Sequence, residues 1–380
     1  MMRRLSHILT SSCPRIILAS LLSACTLADS SVISAPQSLS GWRTDTGKRA
    51  IDLSELLSGG VPKDGIPAIN QPRFVSMSEA KRWLKPQEPV ISLEIGGEAR
   101  AYPLQILIWH EIVNDRIDDT PVAVTFCPLC YSAVAFDRTI GGRVHTFGVS
   151  GMLRNSDMVM YDRETESLWQ QLTGEAIVGE MTGIKLARLP AQIISFEQFA
   201  SAYKDVLVLS RETGFRRDYG RNPYAGYDDI IQRPFLYRGK IDNRLAPMER
   251  VVTLNLNGVN KVYPYSVTRK LRVIHDEVGG SPVVIFHGPG AISALDQAEI
   301  SSSRQSGSVG VFDPRVGGKP LRFKFAGGKF LDEETGSEWD IIGQAVEGKL
   351  KGKRLAPIAH GAEFAFAWLA FKPKSVIYRR

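Results

Sequence analysis

The chain has 380 residues, 43% hydrophobic and 23% charged, the composition of an ordinary globular protein with room for two or three domains. Its formal net charge of +7 is scattered, with only short clusters such as "KLKGKR" at residues 349–354. No stripe of interleaved aromatic and basic residues accompanies it, so the charge reads as a solvated surface and not as a nucleic-acid surface.

In chain order, residues 1–15 carry Arg3, Arg4 and Arg15, and "IILASLLSA" supplies a short apolar core. This is the pattern of a secretory signal, too short to span a membrane. It ends in Leu22-Ser23-Ala24-Cys25, which resembles a bacterial lipobox. The resemblance implies a signal peptide over residues 1–24, lipidation of Cys25 and attachment to a membrane surface through acyl chains, palmitate among them. Plain cleavage by an ordinary signal peptidase is the alternative, since Ser23-Ala24 suits it too. Thr26 is not the Asp that retains lipoproteins on the inner membrane, so the outer membrane or its periplasmic face is the expected location. Cys13 leaves with the signal and Cys25 is consumed by lipid, which leaves Cys127 and Cys130 as the thiols of a protein in an oxidising compartment.

Residues 25–85 read as a lead-in. From Val90, "VISLEIGGEARAYPLQILIWHEIVNDRIDDTPVAVTF" matches "VVTLNLNGVNKVYPYSVTRKLRVIHDEVGGSPVVIFH" from Val251 without a gap. Later, "DRETESLWQQLTGEAIVGEMTGIKLARLP" from Asp162 answers "DEETGSEWDIIGQAVEGKLKGKRLAPI" from Asp332. A unit of this length is too long for a solenoid repeat and predicts an internally duplicated domain. The first copy spans residues 86–205, a loop-like connection 206–249, and the second copy 250–380. The fold class is α+β and β-rich: "VISLEIGGEARAY" is a hairpin signature, and "VAVTF", "SAVAFD", "VHTFGVSG", "MVMYD" and "AIVGE" are strand-like. Helices are expected after each Tyr-Pro and at the end of each copy, and the polar stretch 301–308 is expected to be a mobile loop.

The copies can be compared with each other. His110 corresponds to Leu271, Cys127 to Gly288 and Cys130 to Ala291, so three soft-metal ligands disappear together. Tyr102 and Tyr263, Asp115 and Asp276, and Trp169 and Trp339 are kept, which marks them as scaffold and the second copy as degenerate. The Cys-Pro-x-Cys pair admits three readings. A redox couple wants its first Cys at a helix N-terminus, whereas "YSAVAFDR" after Cys130 alternates like a strand. A disulfide across two intervening residues constrains little chain entropy. A metal knuckle between strands places two thiolates on one ion, and His110 is the expected third ligand. Cys₂His with an open position suits zinc or copper, the thiolates leaning towards copper. His145, Met152 and Met158 lie nearby in sequence as candidates to complete a copper site, with a structural role the stronger reading of each. Ser150, Arg154, Asn155, Ser156, Asp157, Asp162 and Gln170 form a polar group that reads equally as a pocket or as a well-capped hairpin. No phosphate loop or nucleophile elbow occurs.

These residues look familiar together. "DGIPAINQPRFVS", "HEIVND", "PVAVTFCPLCYSAVAFDR", "FGVSGMLRNSDMVMYDRETESLWQQLTGEAIVG" and "TGFRRDYGRNPYAGYDD" resemble the bacterial domain-of-unknown-function 3179 family, from about Asp64 to the C-terminus. The family usually has Gly after the second Cys, where this chain has Tyr131. The resemblance implies an exported protein and places His110, Cys127 and Cys130 in a family motif; it implies no reaction. Three functions remain in view: a metal-binding exported lipoprotein, catalytic or not; a thiol–disulfide oxidoreductase using Cys127 and Cys130; and a non-catalytic envelope binding module. The expected partners are the membrane, through the lipid, and a small molecule or metal ion, with no nucleic acid.

Overall fold

Two tight turns organise the molecule. Gly96 and Gly97, at φ 60 and 88, join strands Pro89–Ile95 and Glu98–Pro103 in the register Val90↔Pro103. Asn257 and Gly258, at φ 50 and 82, join Arg250–Leu256 and Val259–Pro264 in the register Val251↔Pro264. Positive φ at both central residues is what a two-residue hairpin needs to match the strand twist. After each proline a helix forms, Leu104–His110 in one case and Tyr265–Leu271 in the other. Each helix ends at a residue with positive φ that is not glycine, Glu111 (φ 57) or Arg272 (φ 66). A second strand pair follows: Ile112–Ile117 with Thr120–Cys127, and Val273–Val278 with Ser281–Gly288.

The residues shared by both segments are bonded to one another. Tyr102 donates its hydroxyl proton to Asp115 at 2.6 Å, and Tyr263 to Asp276 at 2.8 Å. The indole of Trp169 donates to Asp162 at 2.9 Å, and that of Trp339 to Asp332 at 3.0 Å. A buried phenol or indole needs such a partner, because an unmade bond there costs about 1–3 kcal/mol.

The computed structural model describes residues 39–204 and 206–379; the expected signal segment 1–24 and lipidation site Cys25 lie outside them. The fold is α+β and rich in strand, and among the described residues the longest helices have seven residues. No helix among them is long and apolar enough to cross a membrane. Every sheet takes its strands from one side of the 210–249 segment, but one apolar core draws on both sides, with Phe126, Tyr131, Tyr263 and Phe364 in it.

The segments expected to be passive contribute structure. Leu57–Ser58 pairs with Phe147–Arg154. Phe74–Ser76 pairs with Leu207–Leu209, which also lies parallel to Glu98–Pro103. Strands this short give little periodic signal, and only their neighbours reveal them. Residues 301–308, expected to be mobile, are tied down instead: the Ser306 N–H donates to the Ala291 carbonyl, and Arg304 pairs with Asp228 and Asp296.

Candidate functional site

The strand Thr120–Cys127 lies between Ile112–Ile117 and Ser132–Asp137, with Cys127 opposite Ser132. Pro128 then opens a single turn of 3-10 helix, Pro128–Cys130, a place where its missing N–H costs nothing. Tyr131 reverses the chain in the left-handed region, at φ 53 and ψ 26. Glycine reaches that region without penalty, while an L side chain costs roughly 1–2 kcal/mol. The Tyr131 ring offsets that cost: its oxygen accepts the Ala294 N–H at 3.0 Å, and its ring meets Phe126 and Phe364 edge-on. Tyr131→Phe is expected to leave the Ala294 N–H buried and unpaired. That should lower stability by about 1–3 kcal/mol, read as a lower denaturant midpoint at unchanged slope.

Both thiols are free and buried, Cys127 at 1% exposure and Cys130 at 0%. What faces them is a carboxylate. The hairpin Phe147–Arg154 with Asp157–Asp162 turns on Asn155 (φ 51) and Ser156 (φ 67), and Asp157 is the first residue beyond the turn. Its Oδ2 accepts from the Gln170 amide at 2.6 Å and from the Leu172 N–H at 3.0 Å. Its Oδ1 is buried without a partner. The two sulfurs and an Asp157 oxygen lie within 4.8 Å of one another. Cys130 donates to the Ser156 carbonyl at 3.6 Å, and the Met158 N–H points at the Cys127 sulfur.

Burial sets the protonation of this cluster. It raises the Cys127 thiol and holds the Cys130 thiol well above the usual range. It pushes Asp157 up to about 6, against the stabilising Leu172 N–H and Gln170 amide. Glu111 stands close by: burial, then the Asp157 charge, pushes it up to about 8, and its charge in turn acts on Cys127. Four acidic groups thus crowd a space that favours none of their anions, an arrangement that a cation relieves. Tyr224 and Tyr227, from the connecting segment, cover it. Burial raises both hydroxyls, with Glu111 and Cys127 acting on Tyr224 and the two thiols on Tyr227.

The structure does not bring His110 to the sulfurs. Its Nδ1 bonds the Pro67 carbonyl at 2.7 Å and its Nε2 the Tyr219 hydroxyl at 2.7 Å. A carbonyl can only accept, so Nδ1 carries the proton and Nε2 accepts from Tyr219. Burial holds the ring down to about 4, hence neutral. The chain turns at Glu111, so neighbouring side chains part and the carboxyl, not the imidazole, takes the site side.

The other polar residues read from the sequence divide. Ser156 and Asp157 join the thiols, and the Ser156 hydroxyl is buried without a partner. Arg154 bonds Glu55 at 2.8 Å and the Gln170 carbonyl oxygen at 3.3 Å, so it steadies the amide that holds Asp157. Asn155 forms the turn. Ser150 spans a bulge, donating to the Val159 carbonyl and accepting from the Met152 N–H. Asp162 caps its own loop through Thr165 and Trp169. His145 joins Asp162 and Glu164, not the thiols, and Met152 packs in a separate apolar cluster.

Glu111, Tyr224 and Tyr227 were missed. A signal for Glu111 was present: by the register that pairs His110 with Leu271, Glu111 falls on Arg272. Where the thiols are lost, the Glu111 carboxylate gives way to a cation.

Fold and site together define a β-rich α+β protein with a buried two-thiol, two-carboxylate centre. The chain belongs to the family described as "Protein of unknown function (DUF3179)", whose model matches residues 63–375. No curated protein and no solved structure matches it.

Proposed function

We propose that this protein holds one transition-metal ion on Cys127, Cys130 and Asp157, with Glu111 beside it, as an exported lipoprotein of the bacterial envelope. The observation that carries the reading is the convergence of two buried thiols on a buried carboxylate whose second oxygen has no N–H or O–H partner, only the thiols themselves beside it. Asp157 takes the role expected of His110. An oxygen donor in place of an imidazole suits zinc better than copper(I), which prefers soft ligands, so zinc stands ahead of copper. Three protein ligands leave a fourth position for Glu111 or a substrate.

The thiol–disulfide reading has less support. Neither Cys begins an α-helix, both are buried, and burial raises both thiols, whereas a redox thiol needs access and a stabilised thiolate. Elemental analysis of anaerobically purified protein tests the choice. About one zinc per chain is expected; a metal-free protein with a reversible two-electron thiol titration would give the case to redox chemistry.

We read the segment from Arg250 onward as a second copy of the first that has lost the centre. Matched hairpin registers, matched Tyr–Asp and Trp–Asp bonds and matched left-handed helix ends support this. Lipidation of Cys25 is the remaining element. Cys25→Ser is expected to block maturation or release the protein from the membrane fraction on fractionation; normal processing and retention would remove the lipid anchor from this reading.

A further inference from the structure

Arg250 lies over the Tyr131 ring, its guanidinium carbon 3.7 Å from the centroid, with Tyr265 on its other side at 4.7 Å. A guanidinium has five N–H donors. Here Nε donates to the Ala362 carbonyl and Nη2 to the Tyr265 hydroxyl, each at 3.3 Å. Among the described residues no carboxylate forms an ion pair with the half-buried Arg250; the Asp228 and Glu363 charges act on it from farther off. It lines a cavity of about 320 Å³. Arg269 reaches the same cavity from the helix Tyr265–Leu271 and donates to the Ser306 carbonyl at 3.2 Å.

The acidic residues in the wall are already engaged. Glu249 accepts from the Ser266 N–H at 2.9 Å, Asp229 from the Ile231 N–H at 3.1 Å, and Asp228 from the Ser293 hydroxyl, with an ion pair to Arg304. Among the described residues Arg250 and Arg269 are the cations of this wall without an ion pair, whereas Arg304 is paired with Asp228 and Asp296. The corresponding place in the first segment is filled. There Glu88, like Glu249, directly precedes its strand, and Gln105 takes the helix position of Ser266. Gln105 donates to Glu88 at 2.6 Å and accepts from Arg211 at 2.9 Å. Pro89 stands where Arg250 does. One segment closes this position with side chains; the other opens it and supplies an arginine.

We infer that this cavity binds a small monocarboxylate, its oxygens on Arg250 and Arg269 and its body against Met248 and Ile230. A guanidinium fork matches a carboxylate in two parallel bonds, and stacked aromatic rings hold the fork in place. Three wall carboxylates disfavour a dianion, which sets the site against inorganic phosphate. The cavity's chemistry does not draw on the thiols.

The test is calorimetric titration of the mature protein with acetate, butyrate and benzoate, and separately with inorganic phosphate. At least one monocarboxylate is expected to bind one to one, and phosphate about tenfold more weakly or less. Arg269→Ala, at an exposed position, should weaken the carboxylate by about tenfold. Ser266→Gln, which rebuilds the plug of the first segment, should abolish binding while the circular dichroism spectrum stays that of the wild type. Absence of millimolar binding by any of the three acids overturns the inference. So does phosphate binding more tightly than all of them, or carboxylate affinity unchanged in both variants.

Discussion

Asp157→Asn is expected to abolish the proposed metal binding, and His110→Ala to preserve it. The amide keeps the shape of the side chain and its bonds to the Gln170 and Leu172 groups can be partly rebuilt, but the charge that faces the sulfurs is gone. Cys127→Ser and Cys130→Ser should act the same way, each retaining well under about a tenth of the wild-type stoichiometry, since every ligand of a three-ligand site is needed. His110→Ala breaks bonds to Pro67 and Tyr219 instead. Its effect should appear as about 1–3 kcal/mol of lost stability with metal content unchanged. The pH dependence follows from the protons displaced. Because burial raises both thiols, they are protonated in the empty site at neutral pH, and binding must release their protons. Apparent affinity should therefore fall as pH falls, by about two log units per pH unit. A metal content that survives Asp157→Asn but vanishes with His110→Ala would return the site to the Cys₂His set that the sequence suggests.

Asp162→Ala should unfold the protein more readily than any substitution at the thiol–carboxylate centre, without touching Cys127, Cys130 or Asp157. Asp162 is 0% exposed and accepts from the Thr165 N–H and hydroxyl and from the Trp169 indole, with the His145 ring alongside at 3.3 Å. Removing it leaves several buried donors without acceptors, a loss of about 3–5 kcal/mol. Asp332→Ala should cost a similar amount, since Asp332 serves Thr335 and Trp339 in the same way. Urea titration of both variants measures this. A loss below about 1 kcal/mol at Asp162 would mean that the residue is not the cap the hydrogen bonds make it, and would reopen its place in a binding pocket.

Much of the architecture could be read from residues alone, because the strongest signals are local. Gly-Gly and Asn-Gly turns between alternating strands, and helices opened by Tyr-Pro, are decided within a few residues. The short strands Leu57–Ser58 and Leu207–Leu209 were not legible, since pairing partners far along the chain create them. At the site, the cysteines and Asp157 were visible as residue types, but their meeting depends on a hairpin turn of a different sheet delivering Asp157 to Cys127. His110 was the attractive third ligand because it is the softer base and lies close in sequence. What excluded it is a single left-handed residue, Glu111, that nothing in its own side chain announces. The charge reversal to Arg272 was the better guide.

Tyr131 also bears on the order of events in the life of the chain. Its left-handed backbone closes the turn around the thiols, and the contacts that offset the cost of that conformation, Ala294 and Phe364, arrive far later in the sequence. A glycine there would let the loop close as soon as the first hundred-odd residues emerged. With tyrosine, closure waits for the C-terminal strands to dock, so the thiols mature only in a finished molecule. An incomplete chain would present an open, oxidisable pair of thiols, and the completed one a sealed centre.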